Sequence, residues 1–255
     1  MKRTLMALFG IIILMTSAIS FAGDCGDVNS SGTVNIQDLT YLINFLYKGG
    51  PAPACGPETG TVTDIDGNIY HTIKIGNQWW MVENLKVVRY QNGDSIPNIT
   101  HAADWGVAAG AYCEYNNDSN NVATYGRLYN WFAAVDSRNI APTGWHVPSD
   151  AEWQILVDYL GGDAVAGGKM KETLTAHWVC PNTGATNESG FSGLPGGYRQ
   201  SNGDYYDIGY YTYFWSSTEY SSSSAWYRPL YYNLSEVYGG YGNKLFGFSL
   251  RCIRD

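Results

Sequence analysis

"YFWSSTEYSSSSAWYRPLYYN", Tyr213 to Asn233, decides how the chain is read. It sets aromatic clusters between serines, with few charges and no histidine. Over Ala225 to Asn233, strand alternation puts Trp226, Arg228, Leu230 and Tyr232 on one face. Ala225, Tyr227, Pro229, Tyr231 and Asn233 take the other. The face with Trp226 and Leu230 is the better core candidate, and the opposite face presents Tyr227, Tyr231 and Asn233. The stretch therefore reads as part core strand and part recognition surface, not as a catalytic centre. On the closing strand, Phe246, Phe248, Leu250 and Cys252 alternate inward.

Upstream, the pattern predicts more strands and two helices. Ile69, His71, Ile73 and Ile75 alternate with Tyr70, Thr72 and Lys74, and His71 reads as a satisfied core residue. Asp66-Gly67, Gly76-Asn77 and Asn92-Gly93 mark turns, so this part begins as a hairpin or meander. "DIDGN", Asp64 to Asn68, reads as a β-turn rather than a calcium site, because ligand spacing stops after Asp66. "YGRLYNWFAAVD" carries Leu128, Trp131, Phe132 and Val135 at helical spacing. "PSDAEWQILVDYLGG" begins with a capping box, Ser149 and Glu152, buries Trp153, Leu156, Val157 and Leu160, and ends at Gly161-Gly162.

At the front, "MKRTLMALFGIIILMTSAISFAG" has a basic start, an apolar run and a small-x-small site, so residues 1–22 are expected to be a secretory signal peptide. They hold Lys2, Arg3 and no acid. Their removal leaves 13 basic against 23 acidic residues, a net charge of −10, which argues against nucleic acid or an anionic membrane as partner. No membrane insertion is expected after cleavage. Asp27, Asn29, Ser31, Thr33, Asn35 and Asp38 occupy positions 1, 3, 5, 7, 9 and 12 of a calcium-type loop, with Gly32 at the turn. A helix with Ile36, Leu39, Leu42, Ile43 and Leu46 on one stripe follows, ended by Gly49, Gly50 and Pro51. Cys25 and Cys55 bracket this unit, residues 23–56, and a bridge between them is valued at roughly 3–4 kcal/mol. The spacing resembles one half of a type I dockerin, which implies Ca²⁺ as the bound ion. With one loop instead of two, docking to a cohesin-like partner is not expected.

Beyond the Pro/Gly linker, "VTDIDGNIYHTIKIGNQWWMVENLK", "YGRLYNW", "APTGWHVPSDAEW", "ESGFSGLPGGYR", "FWSSTE" and "GFSLRCIRD" are similar to the Fibrobacter succinogenes major paralogous domain over about residues 60–255. The domain itself is assigned to residues 57–255. The resemblance implies an exported domain without an established activity, of α+β class. It further implies a C-type-lectin-like fold of the formylglycine-generating-enzyme type, preceded by the small calcium-loop-plus-helix element.

The oxidase sharing that fold holds copper with a cysteine pair; here Cys113, Cys180 and Cys252 lie far apart in sequence. A disulfide is the expected state, with Cys113–Cys252 the chosen pairing. His71, His101, His146 and His177 are isolated, and no zinc-protease motif, GxSxG elbow or phosphate loop appears. Glu188, Asp204, Asp207, Glu219 and Glu236 offer no sequence-level glycosidase pair. Tyr and Trp give rigid contact area, while Ser, Gly and Asn give adaptable hydrogen bonds. The ligand-binding candidates are Tyr205, Tyr206, Tyr210, Tyr211, Tyr220, Tyr227 and Tyr231. The expectation is a secreted or cell-surface, non-catalytic protein that binds polysaccharide or another surface ligand. The alternatives are an exported enzyme (a copper oxidase or polysaccharide hydrolase) and a purely structural matrix protein.

Overall fold

Alternating β-branched and aromatic residues between Gly and Asn turns dictate short strands, and these dominate the second of two units divided between Pro57 and Glu58. The computed structural model describes residues 36–49 and 57–255. In the first unit, helix α1 (Ile36–Lys48) half-buries Leu39, Leu42 and Ile43 and exposes Ile36, Leu46 and Tyr47. Asp38 falls in its first turn. The signal peptide, Asp27, Asn29, Ser31, Thr33, Asn35 and the Cys25–Cys55 pair lie outside the described residues. No described helix is long and apolar enough to cross a membrane.

The second unit is α+β and mostly sheet, with short helices α2 (Ala102–Trp105) and α3 (Asn120–Tyr125) in its loops. Strands β1 (Thr59–Thr63), β2 (Ile69–Ile75) and β3 (Gln78–Met81) form the expected antiparallel meander. Asp64 closes its first turn, accepting from the N–H groups of Asp66 and Asn68 at 2.9 Å and from the Tyr70 hydroxyl at 2.6 Å. The last strand, β12 (Ile253–Arg254), enters between β3 and β6 (Trp145–His146) and completes the sheet β1-β2-β3-β12-β6. The second sheet comprises β7 (Gly196–Arg199), β8 (Tyr205–Ile208), β9 (Tyr211–Glu219), β10 (Ser224–Tyr231) and β11 (Gly240–Asn243), ordered β11-β10-β9-β7-β8.

Helices α5 (Asp150–Tyr159) and α6 (Asp163–Met170) contribute to a core shared by both sheets. The capping box of α5 is formed, and its Trp153 packs 4.6 Å from Trp80 and 5.6 Å from Phe214, centroid to centroid. Gly161 and Gly162 take φ of +103° and +89°, stopping α5. Helix α6 has two glycines because its backbone is closely approached. A Cβ on Gly167 would lie 2.4 Å from the Glu236 carbonyl, and one on Gly168 would lie 2.3 Å from that of Gly184.

Four expectations are corrected. The helix over "YGRLYNWFAAVD" is instead β5 (Leu128–Tyr129), paired with β4 (Tyr112–Cys113), followed by the single turn α4 (Trp131–Ala134). Asn130 causes the break: it caps α4 by accepting from the Ala133 N–H, and its side chain also binds Ala109 and Ala111. His71 is not in the core. The face of β2 that buries Ile73 and Ile75 emerges at Ile69 and His71, and the imidazole is 73% exposed and paired with Glu83 at 2.7 Å. Cys113 and Cys252 are both free and buried, in different clusters. Cys113 packs among Trp105, Tyr115 and Leu128, and Cys252 among Met81, Leu85 and Leu250, so no bridge joins them. Burial pushes the Cys113 thiol up to about 11 and Cys252 higher still. Along Ala225–Asn233, Arg228 and Leu230 are buried as expected, but so are Ala225 and Pro229, while Trp226 and Tyr232 are only half-buried.

Buried cations tie down the long loops. The Lys171 ammonium is sealed and donates to the carbonyls of Thr183, Tyr231 and Leu234 at 2.8–2.9 Å. Burial pulls it down to about 8. Arg199, sandwiched 4.4 Å from the Trp105 ring and 5.0 Å from Tyr205, donates to the carbonyls of Ile99, Thr100 and Gly203. Arg251 lies 4.1 Å over Phe191 and donates to Asn84, Phe191 and Ser192. Each carbonyl left without a donor would cost about 1–3 kcal/mol. We therefore expect Lys171→Met to destabilise the protein by about 3–5 kcal/mol in urea titration; a loss below about 1 kcal/mol would contradict this role.

His146 clamps the last residue, with Nδ1 2.6 Å from Asp255 and Nε2 2.9 Å from Glu152. Partial burial pulls the imidazole down, but the two carboxylates outweigh it and the net shift is upward. A raised folded pKa means stabilisation that is complete below the unfolded value of about 6.5 and lost as pH rises through the folded one. The melting temperature should fall between about pH 6 and pH 8, and His146→Gln should flatten that slope. An unchanged slope in the variant would refute the clamp.

Candidate functional site

The register of β9 on β10 places Tyr211 opposite Tyr231, Tyr213 opposite Pro229, and Trp215 opposite Tyr227, all on one face. Trp215 is drawn fully into the core, where its indole donates to the Tyr129 carbonyl at 2.9 Å. The tyrosines on either side of it are only half-buried. Strand β7 joins this face through Gly197, which has φ +63° and touches β9 in parallel at Thr212. A Cβ there would sit 2.4 Å from the Tyr206 carbonyl, so glycine is what lets Tyr198 stand between β8 and β9.

The result is a continuous ladder of rings. Tyr206 stacks on Tyr198 at 5.6 Å, and Tyr198 meets Tyr213 edge-on at 5.1 Å. Tyr213 in turn meets Tyr211 at 6.4 Å and Tyr227 at 5.6 Å, and Tyr211 meets Tyr231 at 5.1 Å. Phe248 forms the floor, stacked on Tyr213 at 4.9 Å, with Phe246 beside Tyr198 at 5.9 Å. Such edge and offset geometries contribute about 0.5–1.5 kcal/mol per pair beyond area burial and hold the rings rigid. The core tyrosines differ in kind: Tyr70 donates to Asp64 and Tyr129 to the Val87 carbonyl, each within 2.7 Å. None of the ladder hydroxyls is a sealed orphan, so those not bonded within the protein can reach water or a ligand.

Asp207 sits at the β8 end of the ladder with φ +69°, a conformation that Asp tolerates better than most residues. Its carbonyl accepts from the Tyr210 N–H at 3.0 Å, closing the turn into β9. Partial burial pushes its carboxyl up, and the Tyr213 hydroxyl opposes that shift. Burial, reinforced by the Asp207 charge, pushes the Tyr198, Tyr211 and Tyr213 phenols up, so they stay neutral near pH 7.

Five of the seven expected ligand residues meet here: Tyr206, Tyr211, Tyr227 and Tyr231 in the ladder, and Tyr210 at its end against Tyr232, 5.3 Å away. Tyr205 does not. It points to the opposite face, packs 5.3 Å from Tyr115 and donates to Asn117 at 2.8 Å. Tyr220 lies at the far tip of the β9–β10 hairpin, stacked on Tyr241 at 3.9 Å with Trp226 edge-on at 5.3 Å. Tyr198, Tyr213 and Asp207 were missed. Tyr213 was recoverable, standing two residues from Tyr211 on the same strand face. Among the described residues, no group of three or more His, Cys, Asp or Glu side chains is placed to hold a metal ion.

A family model described as the Fibrobacter succinogenes major domain matches residues 73–254. No curated protein and no solved structure matches the chain.

Proposed function

The chain belongs to the Fibrobacter succinogenes major domain family, and we propose that it is an exported, non-catalytic protein that binds surface polysaccharide through the tyrosine ladder. The observation that carries this reading is that six tyrosine rings, Tyr198, Tyr206, Tyr211, Tyr213, Tyr227 and Tyr231, form one contiguous partly exposed face. Rings fixed by their neighbours offer flat apolar area at low entropy cost, and phenol groups add hydrogen bonds, which suits the alternating C–H and hydroxyl faces of sugars. Curled sheets, packed helices and long tethered loops support the C-type-lectin-like reading of the fold. The position of Asp38 in the first turn of α1 supports a calcium loop ending there.

Polysaccharide affinity electrophoresis of the mature chain should show retardation by at least one glycan. Tyr211→Ala and Tyr231→Ala should each weaken it about 5- to 30-fold in a protein that still folds, with a melting temperature lowered by about 3–10 °C. A folded protein that no glycan retards, or variants that bind as well as the parent, would overturn the proposal. Calorimetric titration of the mature chain should find one weak calcium site, abolished by Asp27→Ala; heat unchanged by that substitution would remove the calcium loop from the account.

A further inference from the structure

We infer that the tip of the β9–β10 hairpin is a second saccharide platform, on the opposite face of the sheet from the ladder, and that it takes a β-linked chain of pyranoses with equatorial hydroxyls; that the ligand is a sugar rests on the glycan-binding reading above. Three rings build the platform. Tyr220 stacks on Tyr241 with centroids 3.9 Å and planes 8° apart. Trp226, which pairs with Tyr241 across β10 and β11, stands at 86° to the first ring and 79° to the second. It lies 5.3 Å from Tyr220 and 6.1 Å from Tyr241, so it sits beside the pair and not over either outer face. Tyr220 and Tyr241 accordingly remain 49% and 55% exposed.

The tip is held in place by its own backbone and by a buried cation. The N–H groups of Tyr220 and Ser221 donate to the Ser224 carbonyl at 3.0 and 2.9 Å. The Lys244 ammonium donates to the Ser222 carbonyl at 3.1 Å, and the Lys244 N–H to that of Ser223 at 3.0 Å. A loop already ordered costs a ligand little entropy. The glycines of "GGYG", residues 239–242, let rings lie against both faces of β11. A Cβ on Gly239 would come within 2.1 Å of Arg228 and 3.4 Å of Trp226, and one on Gly240 within 2.7 Å of the Tyr227 ring. Ala225 and Tyr227 pack into the core beneath the ladder. Trp226 falls between them and shares its face with Arg228, which pairs with Asp150 of α5, and with Leu230, buried in the core that α5 covers.

A pyranose with equatorial hydroxyls turns C–H groups outward on both faces, which matches a flat ring, whereas an axial hydroxyl interrupts the match. The charges nearest the tip in sequence, Glu219 and Lys244, neutralise each other at 2.5 Å, so ring faces and the hydroxyls of exposed Ser222 and Ser223 are what the tip offers. Surfaces on opposite sides of one sheet hold separate glycan strands, so the protein cross-links polysaccharide and gains avidity from doing so.

The test is calorimetry and light scattering on the protein with cellohexaose, with mannohexaose, whose 2-hydroxyls are axial, and with long soluble hydroxyethyl cellulose. Cellohexaose should occupy two classes of site. Tyr220→Ala and Tyr241→Ala should each weaken one class about 5- to 30-fold and spare the other, while Tyr220→Phe, which keeps the ring, binds as the parent does. Mannohexaose should bind the tip more weakly. Hydroxyethyl cellulose should scatter light when mixed with the parent and not with Tyr220→Ala. Tip variants that bind cellohexaose like the parent, equal affinity for mannohexaose, or scattering that survives Tyr220→Ala would each overturn the inference while leaving the ladder intact. One class of site, lost in Tyr220→Ala and unchanged in Tyr231→Ala, would uphold the platform, overturn the cross-linking and count against the ladder. Tip-dependent capture of a proline-rich peptide in place of either sugar would overturn the platform in favour of a protein ligand. Absence of binding to every glycan would defeat both readings.

Discussion

Three sealed cations, Lys171, Arg199 and Arg251, hold together a backbone that regular sheet alone does not satisfy. Their donors reach carbonyls of loops distant in sequence: Thr183 and Leu234 for Lys171, Ile99 and Gly203 for Arg199, Phe191 and Ser192 for Arg251. Stripping water from a cation is costly, and here carbonyl dipoles and aromatic faces replace that water instead of carboxylates. The arrangement bears directly on the outer face. Lys171 grips the Tyr231 carbonyl at the end of β10, and Arg199 is the immediate neighbour of Tyr198 on β7. Arg199 and Tyr198 thus share one strand, and Lys171 fixes the end of another, so the buried cations steady the strands that carry the ladder.

Much of this architecture was legible where local chemistry and packing agree. The capping box at Ser149 and Glu152, the stripe Trp153–Leu156–Val157 and the meander from Thr59 to Met81 follow from spacing and turn residues, and all are present. The sequence misled where one side chain overrode a period. Asn130 cut an apparent amphipathic helix to a single turn by capping it. Gly167 and Gly168 hid α6, since glycine argues against a helix unless another backbone presses on it, as the Glu236 and Gly184 carbonyls do. His71 was misplaced because β2 leaves the core partway along one face. The buried roles of Lys171, Arg199 and Arg251 were not legible at all, because a cation among hydrophobes in sequence reads as a surface residue until its carbonyl partners converge from elsewhere.

The candidate site shows the same division. Tyr211, Tyr227 and Tyr231 followed from alternation on adjacent strands, and the register brings them together. Tyr205 and Tyr206 could not be separated without knowing which face of β8 turns outward, and only Tyr206 joins the ladder. Asp207 looked like one acid among several. Its positive φ and its carbonyl bond to the Tyr210 N–H, which close the turn from β8 into β9, show only in the structure. Aromatic residues beyond what a core needs are informative only when their rings are seen to share a wet face, and here they do.

The most direct measurement is nuclear magnetic resonance of the protein with isotopically labelled tyrosine rings, titrated with a glycan that it retains. On this account the ring signals of Tyr198, Tyr206, Tyr211, Tyr213, Tyr227 and Tyr231 shift together and saturably, while those of the sealed Tyr70 and Tyr129 stay still. Movement confined to the Tyr220–Tyr241 tip, or a ladder silent while binding proceeds, would contradict it.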